Sequence, residues 1–300
     1  MRSNLLLVVL AMVCALPVSA VTAQDRKQVR SFDKGTDLLL LQHDCKTDPD
    51  DIMAIATEAG MLTHPDFADV NYHLVLGSYH FGELDTKPYI PRSDEVMAFA
   101  FGVEGENWTN IHKDFDETEF VWPQATINRV AERVKRVLDQ SGIVWVAEAG
   151  TSNYTAQWLL ALRESGVDSE ILRRHVVVVQ HSKVNEDRTE PGNLQYTKQN
   201  ASYFKIDDGN SSNRTPAYKD KTLSLIKIVT GADDRNNKNL AIWRLANEII
   251  QAHPIPQKRI QFLDFSDTVE VWWILQLGSD GNSVQKVIDR YIVNLVAKSD

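Results

Sequence analysis

Past its first 23 residues the chain has a single cysteine, Cys45, so no intrachain disulfide can brace the fold and a hydrophobic core has to hold it. It also lacks a basic cluster. Asp and Glu number 41 against 32 Lys and Arg, and the net charge of −9 excludes nucleic-acid backbones as natural partners. No apolar run reaches the roughly 20 residues that a membrane-spanning helix needs. There is no fixed-period repeat and no low-complexity linker, which argues against a solenoid or a string of domains.

What the N-terminus does have is a basic Arg2, an apolar run from Leu5 to Leu16, and small residues at Ser19, Ala20 and Ala23. That layout predicts a cleaved secretory signal over residues 1–23 and a secreted or periplasmic protein. Val13 before Cys14 is not the small residue a lipoprotein signal requires, so no membrane anchor is expected. Residues 24–300 then form one domain, of a length typical for a large α/β unit.

Strand-length apolar runs at Leu38–Leu41, Tyr72–Leu76, Ile143–Ala147, Val176–Val179 and Ile260–Phe262 alternate with helical patterns. The helical stretches are Asp51–Leu62, Gln124–Gln140, Asn153–Glu164, Leu240–His253 and Thr268–Leu277. This alternation predicts an α/β fold, a single open and mostly parallel sheet covered by helices. Residues 82–118 and 183–221, rich in polar and turn-forming types, are expected as long irregular loops. Ligands of open α/β sheets bind beyond the carboxyl ends of the strands, so the polar residues there are the candidates for function.

Four constellations follow strands. After the first come His43-Asp44-Cys45-Lys46-Thr47-Asp48-Pro49-Asp50-Asp51, with four carboxylates in eight residues, leading into an apolar helix. One carboxylate suffices to cap a helix, whereas four repel one another unless a cation, an ammonium or ligand hydroxyls compensate. The acid loop therefore reads as a site. The second constellation is the turn Glu148-Ala149-Gly150-Thr151-Ser152-Asn153, whose plain reading is a strand-to-helix connection. The third is Gln180-His181-Ser182-Lys183-Val184-Asn185-Glu186, polar groups suited to recognising hydroxyls, although a lone histidine such as His181 is more often structural. The fourth is Asp264-Phe265-Ser266-Asp267, where Asp267 is either an N-cap or a ligand.

The acid loop, in its strand–loop–helix setting, resembles the N-terminal Asp-X-Asp-X-X-X-Asp-Asp motif of the nucleoside hydrolase-like superfamily, the inosine–uridine-preferring type, and the chain looks like a divergent secreted member. The turn at Gly150 and the step at Asp267 resemble later motifs of that family in the same order. The resemblance implies a calcium-dependent hydrolase of N-glycosidic bonds. Carried over residue by residue, it implies Ca2+ held by Asp51, Asp267 and the Ser152 carbonyl, and sugar hydroxyls bound by Asp50, Asn153, Asn185, Glu186 and His181. Water would be activated by Asp48 or Asp44.

One position departs from the pattern. Where the family has a second acid the chain has Lys46, which carries no lone pair when charged and neither binds calcium nor accepts a proton. Either the loop is two residues shorter and Asp48 is the base, or the Lys46 ammonium fills the cation site and the protein binds without hydrolysing. In either case Lys46 is expected to lower the charge of the acid cluster. Two functions follow: an exported N-glycoside hydrolase of a nucleoside or related glycoside, and a non-catalytic secreted sugar- or nucleoside-binding protein using the same pocket. Tyr79, Trp108, Trp122, Trp145 and Trp158 are candidates for stacking on such a ligand. The expected partner is a small molecule, and a homo-oligomer is compatible with the sequence. A phosphatase is disfavoured, because Asp44-Cys45-Lys46 lacks the paired aspartates of aspartyl-phosphate chemistry.

Overall fold

The computed structural model describes residues 29–79, 89–113, 121–210, 220–224, 237–259, 262–278 and 284–293. The expected secretory segment lies outside them. Six strands form one parallel sheet: β1 (Leu38–His43), β2 (Tyr72–Leu76), β3 (Trp108–Asn110), β4 (Val144–Glu148), β5 (Val176–Gln180) and β6 (Ser202–Lys205). Their spatial order is β3-β2-β1-β4-β5-β6, and every neighbouring pair runs parallel. The predicted α/β open parallel sheet is present. Because β1 lies between β2 and β4, the chain leaves it in opposite directions, and a crevice opens at its carboxyl end.

Eight helices of the sheet layers are α1 (Asp50–Thr63), α2 (Ser93–Phe101), α3 (Gln124–Asp139), α4 (Asn153–Glu164), α5 (Ser169–His175), α6 (Lys183–Arg188), α7 (Pro191–Asn200) and α8 (Lys238–Gln251). Later come α9 (Val269–Ile274) and α10 (Val284–Val287). The four leucines of β1 show why the sheet is covered twice. Leu39 and Leu41 join the core under α1 and α8, while Leu38 and Leu40 join the core under α3 and α4, all fully buried. Successive strand side chains alternate in direction, so a continuous apolar strand needs a layer on both faces. On α3 the residues Ile127, Val130, Val134, Val137 and Leu138 recur at helical spacing and are buried, with charged residues outward.

The amino end of the sheet is closed by Asp37, whose buried carboxylate accepts from Ile143 N at 2.8 Å, Trp145 Nε1 at 3.1 Å, Asp33 N at 2.9 Å and the Arg30 guanidinium. These donors hold its carboxyl below the ordinary range against the opposing effect of burial. The Trp145 indole is thereby committed to structure.

Two expectations about loops are corrected. The stretch 82–118 contains α2 and β3, and 183–221 contains α6, α7, β6 and the start of β7 (Asp220–Ser224). The late strand expected at Ile260–Phe262 is β8 (Phe262–Leu263), which pairs antiparallel with β7 outside the main sheet. The first two residues of the expected run lie outside the described residues. Among the described residues no helix is long and apolar enough to cross a membrane.

Candidate functional site

The acid loop leaves β1 at the point where the strand order reverses, and backbone hydrogen bonds fasten it to both neighbouring strands. Gly77 N and Ser78 N donate to His43 O at 2.8 and 3.0 Å, Thr151 N donates to Ser78 O at 3.1 Å, and Ala149 N donates to Gln42 O at 2.9 Å. The turn after β4 has to be glycine at Gly150. A Cβ there would lie 2.2 Å from Ser78 O, 2.8 Å from Ser78 Oγ and 3.1 Å from Asp44 Cβ. This close approach seats the second constellation directly against Asp44. On the other side His253 donates from Nε2 to Thr47 O at 2.8 Å and accepts from Ile255 N at 3.0 Å, tying the loop to the end of α8.

Asp50 and Asp51 open α1, and Asp267 arrives from the short turn before α9. One carboxylate oxygen from each lies within 4.8 Å of the others, an acidic group that can hold a metal ion. Asp44 adjoins them. Burial, then the charge of Asp51, holds the Asp44 carboxyl well above its ordinary range, while the Lys46 N–H donating to Oδ1 at 2.7 Å opposes that. Asp267 is likewise pushed well up, by burial first and then by Asp50 and Asp51.

Behind the aspartates stand two buried histidines. His43, the last residue of β1, shares the inward face of Leu39 and Leu41 and meets α1 with both ring nitrogens. Nδ1 lies 3.0 Å from Asp51 Oδ1 and Nε2 lies 2.8 Å from Glu58 Oε2. Burial disfavours its charge, but Glu58 and Asp51 prevail and raise it to about 10, so it is an imidazolium at neutral pH. His181, after β5, repeats the arrangement more loosely. Its Nδ1 lies 3.0 Å from Glu270 Oε1, in ion-pair contact without the alignment of a hydrogen bond, and its Nε2 lies 4.0 Å from Asp267 Oδ1. Glu270 raises the His181 pKa against burial.

On the opposite face of the sheet Glu148, fully buried at the end of β4, accepts from Ser152 Oγ and Thr155 Oγ1, both at 2.6 Å. Burial raises it to about 7, and these two hydroxyls and the Gln180 amide at 3.4 Å oppose the rise.

Compared with known protein-family models and with curated protein sequences, the chain matches none.

The structure brings together Asp44, Asp50, Asp51, Asp267 and His181 of the residues expected from sequence. Others it places elsewhere. Asp48 has 57% of its side chain exposed and pairs with Lys258, outside the cluster, because the loop turns over at Pro49 as α1 begins. Asn153 is buried and bonded to its neighbours: Oδ1 accepts from Glu190 N at 3.0 Å and Asn193 Nδ2 at 3.1 Å, and Nδ2 donates to Thr151 Oγ1 at 3.3 Å. It staples α4 to α7 rather than facing a ligand. The Ser152 carbonyl is the first acceptor of α4, taking the Ala156 N–H at 3.0 Å, and is directed down that helix. Asn185 donates to Ala149 O at 3.2 Å, bracing the β4 turn from behind, and Glu186 binds Lys198 and the Tyr203 hydroxyl at 2.8 and 3.1 Å.

The Lys46 ammonium lies over the Tyr79 ring, 4.6 Å from its centroid. Tyr79 in turn hydrogen-bonds His112 at 2.7 Å, and His112 stacks on Tyr89 at 3.7 Å, so an aromatic wall stands beyond β2 and β3. Trp108, Trp122, Trp145 and Trp158 are core side chains.

The residues that sequence reading passed over are His43, Glu58, Glu148 and Glu270. A signal existed for one of them: Glu58 follows Asp51 by seven positions on an otherwise apolar helix, two turns along the same face.

Proposed function

We propose that the protein is an N-glycoside hydrolase acting on a nucleoside or related glycoside, with Asp50, Asp51 and Asp267 holding a divalent cation. The observation that carries this reading is the convergence of four carboxylates at the crevice where the sheet order reverses, with two of them raised well above their ordinary range. An all-oxygen donor set suits a hard cation, and calcium is the ion proposed. When bound, such an ion polarises a water molecule and anchors sugar hydroxyls.

Asp44 is the proposed general base. It adjoins the cluster and is half-buried, so water can reach it, and its raised pKa makes its carboxylate a stronger base than an ordinary one. Asp48, exposed and paired with Lys258, is replaced in that role.

The test is a panel of purine and pyrimidine nucleosides with 1:1 assay of free base and reducing sugar. Release that needs calcium and is lost in Asp44→Asn supports the proposal. No turnover of any member overturns it in favour of the second reading, a non-catalytic secreted sugar- or nucleoside-binding protein. That reading is favoured by Lys46, which stands where the resembling family has an acid.

A further inference from the structure

Asp51 is held by both oxygens before any ligand arrives. His43 Nδ1 sits 3.0 Å from Oδ1, and the Cys45 N–H donates to Oδ2 at 2.7 Å. His43 is itself held, because Nε2 lies 2.8 Å from Glu58 Oε2. All three side chains are almost fully buried, so none can swing to water. Asp267 has only a looser backing: His181 Nε2 lies 4.0 Å from its Oδ1, a charge contact and not a hydrogen bond, while Glu270 Oε1 accepts from His181 N at 2.9 Å. Each of two aspartates of the cluster thus has a histidine behind it and an interior glutamate behind the histidine. The two arrays come from different pieces of chain, β1 with α1 and the β5 end with α9, yet face one crevice.

We infer that His43 is a positioning residue which aims Asp51 at a cation shared with Asp50 and Asp267, with Glu58 orienting its imidazole in turn. The inference rests on the cation-site reading above and adds to it the part of the protein that sets the site's geometry. A ligand oriented by an outer hydrogen bond loses affinity when that bond is removed. A histidine serving only as a counter-charge has the opposite signature, since removing a positive neighbour strengthens cation binding. The sign of the change therefore separates the two roles.

The experiment titrates the mature protein with calcium chloride in a calorimeter, comparing wild type with His43→Asn, His43→Leu and Glu58→Gln. Asparagine places an amide near the Nδ1 position and cannot reach Glu58. The expected losses of affinity are roughly 10- to 100-fold for His43→Leu and about three-fold for His43→Asn, with Glu58→Gln between them. Equal or tighter calcium binding by His43→Leu overturns the inference. If His43→Leu does not fold, an unchanged or tightened affinity in both His43→Asn and Glu58→Gln overturns it instead. Should the wild type bind no calcium, the cation reading falls, and the positioning role is read from crystal structures of the metal-free proteins. Asp51 then has to keep its rotamer in His43→Asn and lose it in Glu58→Gln or His43→Leu; an Asp51 that stays put in all of them sinks the positioning role.

Discussion

Replacing Glu148 by glutamine should remove a dependence of stability on pH that the buried carboxyl imposes on the wild type. The carboxyl is fully buried and titrates at about 7 when folded, against 4.5 in the unfolded chain. Between those values the folded state keeps a proton that the unfolded state has released, so stability falls as pH rises through the window. The span of roughly 2.5 units corresponds to about 3 kcal/mol, at about 1.4 kcal/mol per unit. Below 4.5 the residue is protonated in both states, and above 7 it is ionised in both, so the loss is flat outside the window. Glutamine has nothing to titrate. The measurement is urea unfolding of wild type and Glu148→Gln at pH 4.5, 6 and 8. Any constant effect of the amide on the Ser152 and Thr155 hydroxyls cancels when the stability difference at one pH is subtracted from that at another. The difference should shift in favour of the variant by about 3 kcal/mol from pH 4.5 to 8. A difference that stays constant to within about 0.5 kcal/mol would refute the reasoning, because it would mean that the three donors around Glu148 fully offset its burial.

Two other substitutions probe the same crevice. Gly150→Ala drives a methyl group against the Ser78 carbonyl, which is backbone and cannot yield, so a loss of about 3 kcal/mol in urea unfolding is expected, and a loss below about 0.5 would show that the turn can open. Lys46→Asp changes the charge beside Asp44 by two units and supplies an oxygen ligand, so calcium affinity measured calorimetrically should rise by roughly ten-fold or more. No gain would show that the Lys46 side chain, stacked over Tyr79, acts apart from the acid cluster.

Much of the fold was open to reading because its signals are local. Leu38–Leu41 and Val176–Val179 are apolar without alternation, which only a strand covered on both faces tolerates, and α3 shows its buried stripe residue by residue. Asp44, Asp50 and Asp51 announced themselves by crowding like charges into one loop. Tertiary structure decided the rest. Trp108–Asn110 and Ser202–Lys205 are strands because the edges of β2 and β5 offer them backbone partners, a condition no window of their own sequence contains. Asp48 and Asp50 are two residues apart, yet the turn into α1 sends one out to Lys258 and the other into the cluster. His43 looked like the last polar residue of a strand until α1 folded back over it and placed Asp51 and Glu58 on its two ring nitrogens. Charge crowding within a few residues is a property of the chain, whereas the compensation that makes a buried charge tolerable comes from groups that only folding brings within 3 Å.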